Sequence, residues 1–142
     1  MTTEQNKAIV RRVNKEFIEG GNVNTVYEIF SADFINHSAP PGSPQGPEAI
    51  IYFFNQLLKP AFPDLKVKIQ DMVAEGDKVT TRKSFHATHK GEFFGVQPTG
   101  KKVVMDVIDI IQLKDGKFIA HWGILDMHAL MTQITLQETA VA

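Results

Sequence analysis

The chain has 142 residues, with 15 Lys or Arg against 16 Asp or Glu and no cysteine. Near-neutral charge without a basic block removes the electrostatic footprint of a nucleic-acid binder. The lack of cysteine removes disulfide frameworks, thiolate metal sites and cysteine nucleophiles.

One domain spanning 1–142 is expected, long enough to bury roughly two-thirds of the surface of its unfolded chain. The polar, mixed-charge amino terminus and the absence of any apolar run of membrane-spanning length predict a soluble, cytoplasmic protein with no membrane partner.

Thr3 to Glu19 carries Ile9, Val10, Val13, Phe17 and Ile18 at helical spacing, and Gly20-Gly21 can stop that helix. Asn24 can cap a short second helix through Val26, Tyr27, Ile29 and Phe30, after which Asp33 to His37 reads as a short extended piece. Ser38 to Pro47 holds four of the seven prolines and two glycines, a composition suited to a surface loop at a rim. A third helix opens at Gly46-Pro47-Glu48 and ends by Pro60; its Ile50, Ile51, Phe53, Phe54, Leu57 and Leu58 cover more than one stripe, which predicts deep burial.

Leu65 to Ala74 and Lys78 to His89 read as strands joined by a Glu75-Gly76-Asp77 turn. A polar connection, Lys90 to Gly100, leads to a second pair, Lys101 to Leu113 and Phe118 to Leu125, joined at Lys114-Asp115-Gly116-Lys117. Met127 to Gln133 can close the chain with a short helix. Helices followed by four long strands in hairpin succession predict an α+β domain with helices on one face of an antiparallel sheet.

The chemistry concentrates in the last hairpin. Alternation puts Val103, Met105, Val107, Asp109 and Ile111 on one face of the third long strand, and Val104, Asp106, Ile108 and Ile110 on the other. Acids in so apolar a strand need partners or a pocket. Asp106 and Asp109 cannot work as a pair, because they face opposite sides. On the last strand Phe118, Ala120, Trp122 and Ile124 share a side, and Asp126 continues their parity. A carboxylate beside the Trp122 indole in a half-closed cavity would be partly desolvated and could exchange protons near neutral pH. Asp126 equally suits an N-cap for the helix that follows. His121 and Asp126 fall on opposite faces of a regular strand and form no dyad unless a bulge intervenes.

The five histidines do not make a metal site: His86 and His89 fall on opposite faces, and no pair has helical i, i+4 spacing. No metal or cofactor is expected. One of two sets, Arg82, Ser84, His86 and Thr88 or Phe85, Ala87 and His89, lines the interior. His37, beside the proline loop, is best placed to be a polar group at a pocket mouth. Tyr27 and Tyr52 are the only tyrosine hydroxyls available to an oxyanion.

The ordered pieces D-F-I-N-H, A-F-P-D-L, A-E-G-D-K-V, T-H-K-G-E-F-F-G-V-Q-P-T-G-K and D-G-K-F-I-A-H-W, with Asp126 after them, resemble the SnoaL-like polyketide cyclase or "predicted ester cyclase" family from the first helix to Gln133. The resemblance implies the NTF2-like cone: a curved antiparallel sheet packed against three helices around an apolar cavity, in homodimers or homotetramers. It also implies cofactor-free intramolecular aldol chemistry in which one pocket aspartate moves the proton and the substrate's own aromatic system absorbs the enolate charge. Asp126 is the position matched to that aspartate, with Asp109 in reserve. Ile110 and Gln112 stand where the family's assisting histidine would be sought, leaving His37, His89 or His121 as substitutes.

The expected ligand is a small apolar carbonyl compound, walled by Trp122, Phe54 and other phenylalanines, with Tyr52, His89 and Asp109 as further contacts. The competing expectations are a non-catalytic carrier of such a ligand, or another reaction on the same cone, such as isomerisation, dehydration or epoxide hydrolysis.

Overall fold

A computed structural model describes residues 1–136. Helix α1 runs Thr3–Val13 and continues as a π-helical Asn14–Glu19. It starts on a capping box in which Thr2 accepts from the Gln5 amide and Gln5 reaches back to Thr2. Helix α2 is Val23–Ile29, capped by Asn22 rather than Asn24. Helix α3 begins at Pro47–Ile51, widens into a π-helical Tyr52–Leu58 and ends with Lys59–Ala61. The last helix, α4, is Met127–Thr135.

The strands are β1 Phe30–Asn36, β2 Lys66–Glu75, β3 Lys78–Thr88, β4 Lys102–Lys114 and β5 Lys117–Leu125. They form a curved mixed sheet in the order β1-β5-β4-β3-β2. The long hairpin strands are antiparallel as expected, but the short extended piece is a true edge strand that pairs parallel to β5, so the sheet is not purely antiparallel. At the β4–β5 turn Asp115 and Gly116 both adopt positive φ, which suits the right-handed twist of a tight hairpin.

Burial resolves the parity of β3 and β4. Val79, Thr81, Lys83, Phe85 and Ala87 point inward on β3, and Val103, Met105, Val107, Asp109, Ile111 and Leu113 point inward on β4. Phe17, Val26 and Leu58 from the helices and Phe62 just after α3 meet Phe85, Met105 and Phe118 from the sheet in the core. Burying each such side chain contributes about 1.5–3 kcal/mol.

β5 breaks its own alternation. Leu113 pairs with Phe118 and Gln112 with Ala120, leaving Ile119 as one extra residue. This bulge reverses the faces beyond it. Phe118 points inward, and after the bulge His121, Gly123 and Leu125 face inward beside Ile111, Asp109 and Val107 respectively. Trp122 turns to the outer face opposite Ile110. No helix among the described residues is long and apolar enough to cross a membrane.

Candidate active site

The helices and the inner sheet face enclose a hollow of about 630 Å³. Its walls are mainly phenylalanine, with Phe17, Phe30, Phe34, Phe53, Phe54 and Phe85 among them. The proline loop, as expected of a rim, supplies Ser38, Pro40, Ser43, Pro44 and Gln45 to its mouth.

Into this apolar space project a few polar groups from the inner rows. Asp109, only 7 % exposed, lies with its Oδ2 3.2 Å from Lys83 Nζ and 3.5 Å from His121 Nε2. Lys83 is 3 % exposed and donates to Asn14 Oδ1 at 2.7 Å. Asn14 is itself oriented, because its Nδ2 donates to the Val10 carbonyl at 2.9 Å. The residue stands where α1 turns from α- to π-helical, a kind of irregularity that recurs at functional sites.

His121 is oriented from the other side. Asn36 Oδ1 accepts the Ser38 amide at 3.0 Å and lies 2.9 Å from His121 Nδ1. A backbone N–H can only donate, so that atom is the amide oxygen, and the imidazole must present Nδ1–H to it. Nε2 is therefore the ring position left to take up or give a proton, and it faces Asp109. The contact is at the long end of hydrogen-bond range, a length common for acid–base pairs without substrate.

Burial alone would raise the Asp109 carboxyl, but the Lys83 charge and then His121 outweigh it and hold it below the usual carboxylate range. Asp109 is an anion inside an apolar cavity. Its Oδ1 has no hydrogen-bond partner among the described residues, and neither has Thr81 Oγ1 directly across on β3. Buried unpaired oxygens cost about 1–3 kcal/mol each.

Gly123 makes room for this arrangement. A Cβ there would lie 2.7 Å from His121 Cε1 and Nε2 and 3.0 Å from Asp109 Cβ. Gly123→Ala is expected to push the imidazole off Asp109, lowering proton-transfer rates by about 10²-fold while the protein remains folded. Steady-state rates beside a thermal melt check this; an unchanged rate would show that the ring position does not matter.

The other sequence candidates separate clearly. Tyr52 and Phe54 line the hollow with Asp109 and His121. His37 and Trp122 do not: they stack on each other outside it, ring centroids 4.7 Å apart, with Lys78 Nζ 5.7 Å from the indole. Trp122 left the expected wall because the Ile119 bulge reversed its face.

His89 is fully buried but lies apart from the lining, against Phe62, with Nδ1 accepting from the Thr99 amide at 3.2 Å. Asp126 is exposed, and its Oδ1 accepts the Ala129 amide at 3.0 Å, capping α4. The expectation that Asp126 opens into the hollow is corrected by the same bulge, which carries the strand end to the outer face.

Sequence reasoning missed Lys83, Asn14, Asn36 and Gly123. The available signal was a lysine sharing parity with Phe85 and Ala87 on β3. Among the described residues no group of three His, Asp or Glu could hold a metal ion.

Comparisons with known proteins agree with this architecture. IdmH from Streptomyces antibioticus, a candidate polyketide cyclase, is 28% identical over 93% of this chain and 99% of its own, with a TM-score of 0.83. A candidate SnoaL-like polyketide cyclase from Jannaschia sp. CCS1 is 29% identical over 96% of this chain and 95% of its own, also with a TM-score of 0.83. AclR from Streptomyces galilaeus, a candidate hydroxylase, is 25% identical over 99% of this chain and 87% of its own, at the same TM-score of 0.83. Among curated proteins no match is found. The cone these neighbours share, together with a SnoaL-like polyketide cyclase profile that matches residues 8–134, establishes that the chain belongs to the SnoaL-like polyketide cyclase family.

Proposed function

We propose that the protein is a cofactor-independent, cyclase-type enzyme that binds a small apolar carbonyl compound in the hollow and moves the proton next to its carbonyl. One observation carries this reading: an ionised carboxylate with an unpaired oxygen, beside a histidine with one free ring position, inside a cavity otherwise walled by phenylalanine.

Asp109 takes the α-proton; the C–H bond breaks and its electron pair moves onto the carbonyl oxygen as an enolate. In an intramolecular aldol step the enolate carbon forms a bond to a second carbonyl carbon. The proton held by Asp109 then passes to His121 Nε2 and from there to the resulting alkoxide, so that both side chains return to their starting states. General acid–base groups so placed contribute about 10²–10⁴-fold each. Asp109 thus takes the acid–base role first matched to Asp126.

Proton exchange provides the test without a known substrate. β-Tetralone, an apolar aryl ketone, is expected to lose its α-protons faster in heavy water with the protein than without, followed by proton NMR. No acceleration at saturating protein would remove the catalytic reading. If the ketone nevertheless raised the melting temperature, the protein would be a carrier.

A second copy of the chain is proposed to cover the outer sheet face. Ile108, Ile124, Val104 and Val73 are exposed there, and the flanking Arg82–Asp71 ion pair supplies both charge signs to a self-complementary patch. Ile108→Glu is expected to convert dimer to monomer in light scattering; a wild-type monomer at high concentration would contradict the assignment.

A further inference from the structure

Lys83 brings more to the hollow than charge balance. Its ammonium has three N–H groups. One goes to Asn14 at 2.7 Å and one is directed at Asp109, 3.2 Å away. The third has no hydrogen-bond partner among the described residues, although Lys83 lines the hollow, with Phe85 flanking the ammonium at 5.6 Å. Asn14, locked by its own bond to Val10, fixes where Nζ sits.

We infer that Lys83 is an oxyanion donor: its third N–H holds the ligand's carbonyl oxygen and stabilises the negative charge that forms there when the α-proton leaves. The inference rests on the proton-transfer reading of Asp109 and His121 and extends it to substrate class. Cyclases that leave the enolate to an aromatic system in the substrate need that conjugation. A fixed cation in an apolar cavity replaces it, because preorganised donors there are worth far more than in water. The ligand class then includes ketones and esters with no aromatic ring next to the enolisable carbon. Asn14 is a positioning residue, acting only through Nζ.

Two readouts test this. The first uses β-naphthol as a stable oxyanion probe, its ionisation followed by absorbance. Bound to the wild-type protein it is expected to ionise about one to two pH units below its free value. The shift should vanish in Lys83→Met and shrink in Asn14→Ala, which leaves the ion pair intact and serves if Lys83→Met fails to fold. His121→Ala, which leaves the Lys83–Asn14 bond in place, should retain the naphtholate shift.

The second readout compares α-proton exchange of cyclohexanone with that of β-tetralone. Loss of the lysine should slow cyclohexanone by about tenfold more, since only tetralone can spread its enolate charge into an arene. Bound naphthol that ionises equally in wild type and both variants, or equal slowing of the two ketones, would overturn the role of Lys83. In that event, tetralone exchange that still depended on Asp109 would leave the proton-transfer reading standing. Borohydride trapping of either ketone on Lys83 would also overturn it, because the amine would then be a nucleophile.

Discussion

Lys83→Met is expected to destabilise the fold by about 3–5 kcal/mol, the range for removing one partner of a buried ion pair. Asp109 would be left as an unpaired anion in a cavity of phenylalanines, its negative charge opposed by burial and no longer compensated by the strongest favourable influence on it, the lysine. Against a total stability of about 5–15 kcal/mol for a domain of this size, the loss is large and should lower the melting temperature by about 10 °C or more.

The double variant Lys83→Met/Asp109→Asn removes both charges and should recover most of the loss, because neutral groups of similar size do not carry the desolvation cost. Urea unfolding of the four-member cycle measures the coupling. Acid gives an independent sign. The folded-state carboxyl of Asp109 is held below its ordinary range, so its contribution to stability is present above the unfolded value of about 3.9 and is lost as pH falls through the lower, folded-state value. The double variant should lack that part of the acid limb. Additive single effects, or an unchanged acid limb, would mean that the pair does not hold the fold.

Asp109→Asn is expected to slow α-proton exchange of β-tetralone by about 10²–10⁴-fold, whereas Asp126→Asn should leave it within about twofold of wild type. The amide keeps the shape of Asp109 but cannot take the proton. Asp126 sits outside the lining and satisfies the first turn of α4. Its substitution should instead appear as about 1 kcal/mol of lost stability when the side chain is truncated to Ala, the usual cost of a missing helix cap. Reversed results for the two aspartates would return the chemistry to the strand end.

Much of the architecture could be read from residue patterns. Apolar spacing placed the three amino-terminal helices, Asp115-Gly116 marked the tight hairpin, and the dense prolines of Ser38 to Pro47 marked the cavity rim. These signals are local, and local chemistry is what periodicity reports. The site was less legible because its location depends on one residue. Strict alternation from Phe118 placed Trp122, Ile124 and Asp126 together on the cavity side. The extra residue at Ile119 reversed that, putting His121 beside Asp109 and stacking Trp122 on His37 outside.

No propensity within K-F-I-A-H-W announces a bulge. It arises from register against β4 and the edge strand β1, whose own pairing with β5 shifts between Phe30 and Ile35. Alternation on β4, which is regular through Asp109, did place that acid with Val107 and Ile111, the face that proved to be interior. Lys83 escaped notice because a lysine on a strand ordinarily faces solvent. Its partners, Asn14 and Asp109, come from a helix 69 residues earlier and a neighbouring strand.

A crystal structure with β-tetralone bound tests the central claim most directly. The ketone should lie in the phenylalanine-walled hollow with its α-carbon against the Asp109 carboxylate and its oxygen turned towards Lys83. A ketone seated instead beside Asp126 at the start of α4, or excluded from a hollow closed by its own side chains, would contradict the account.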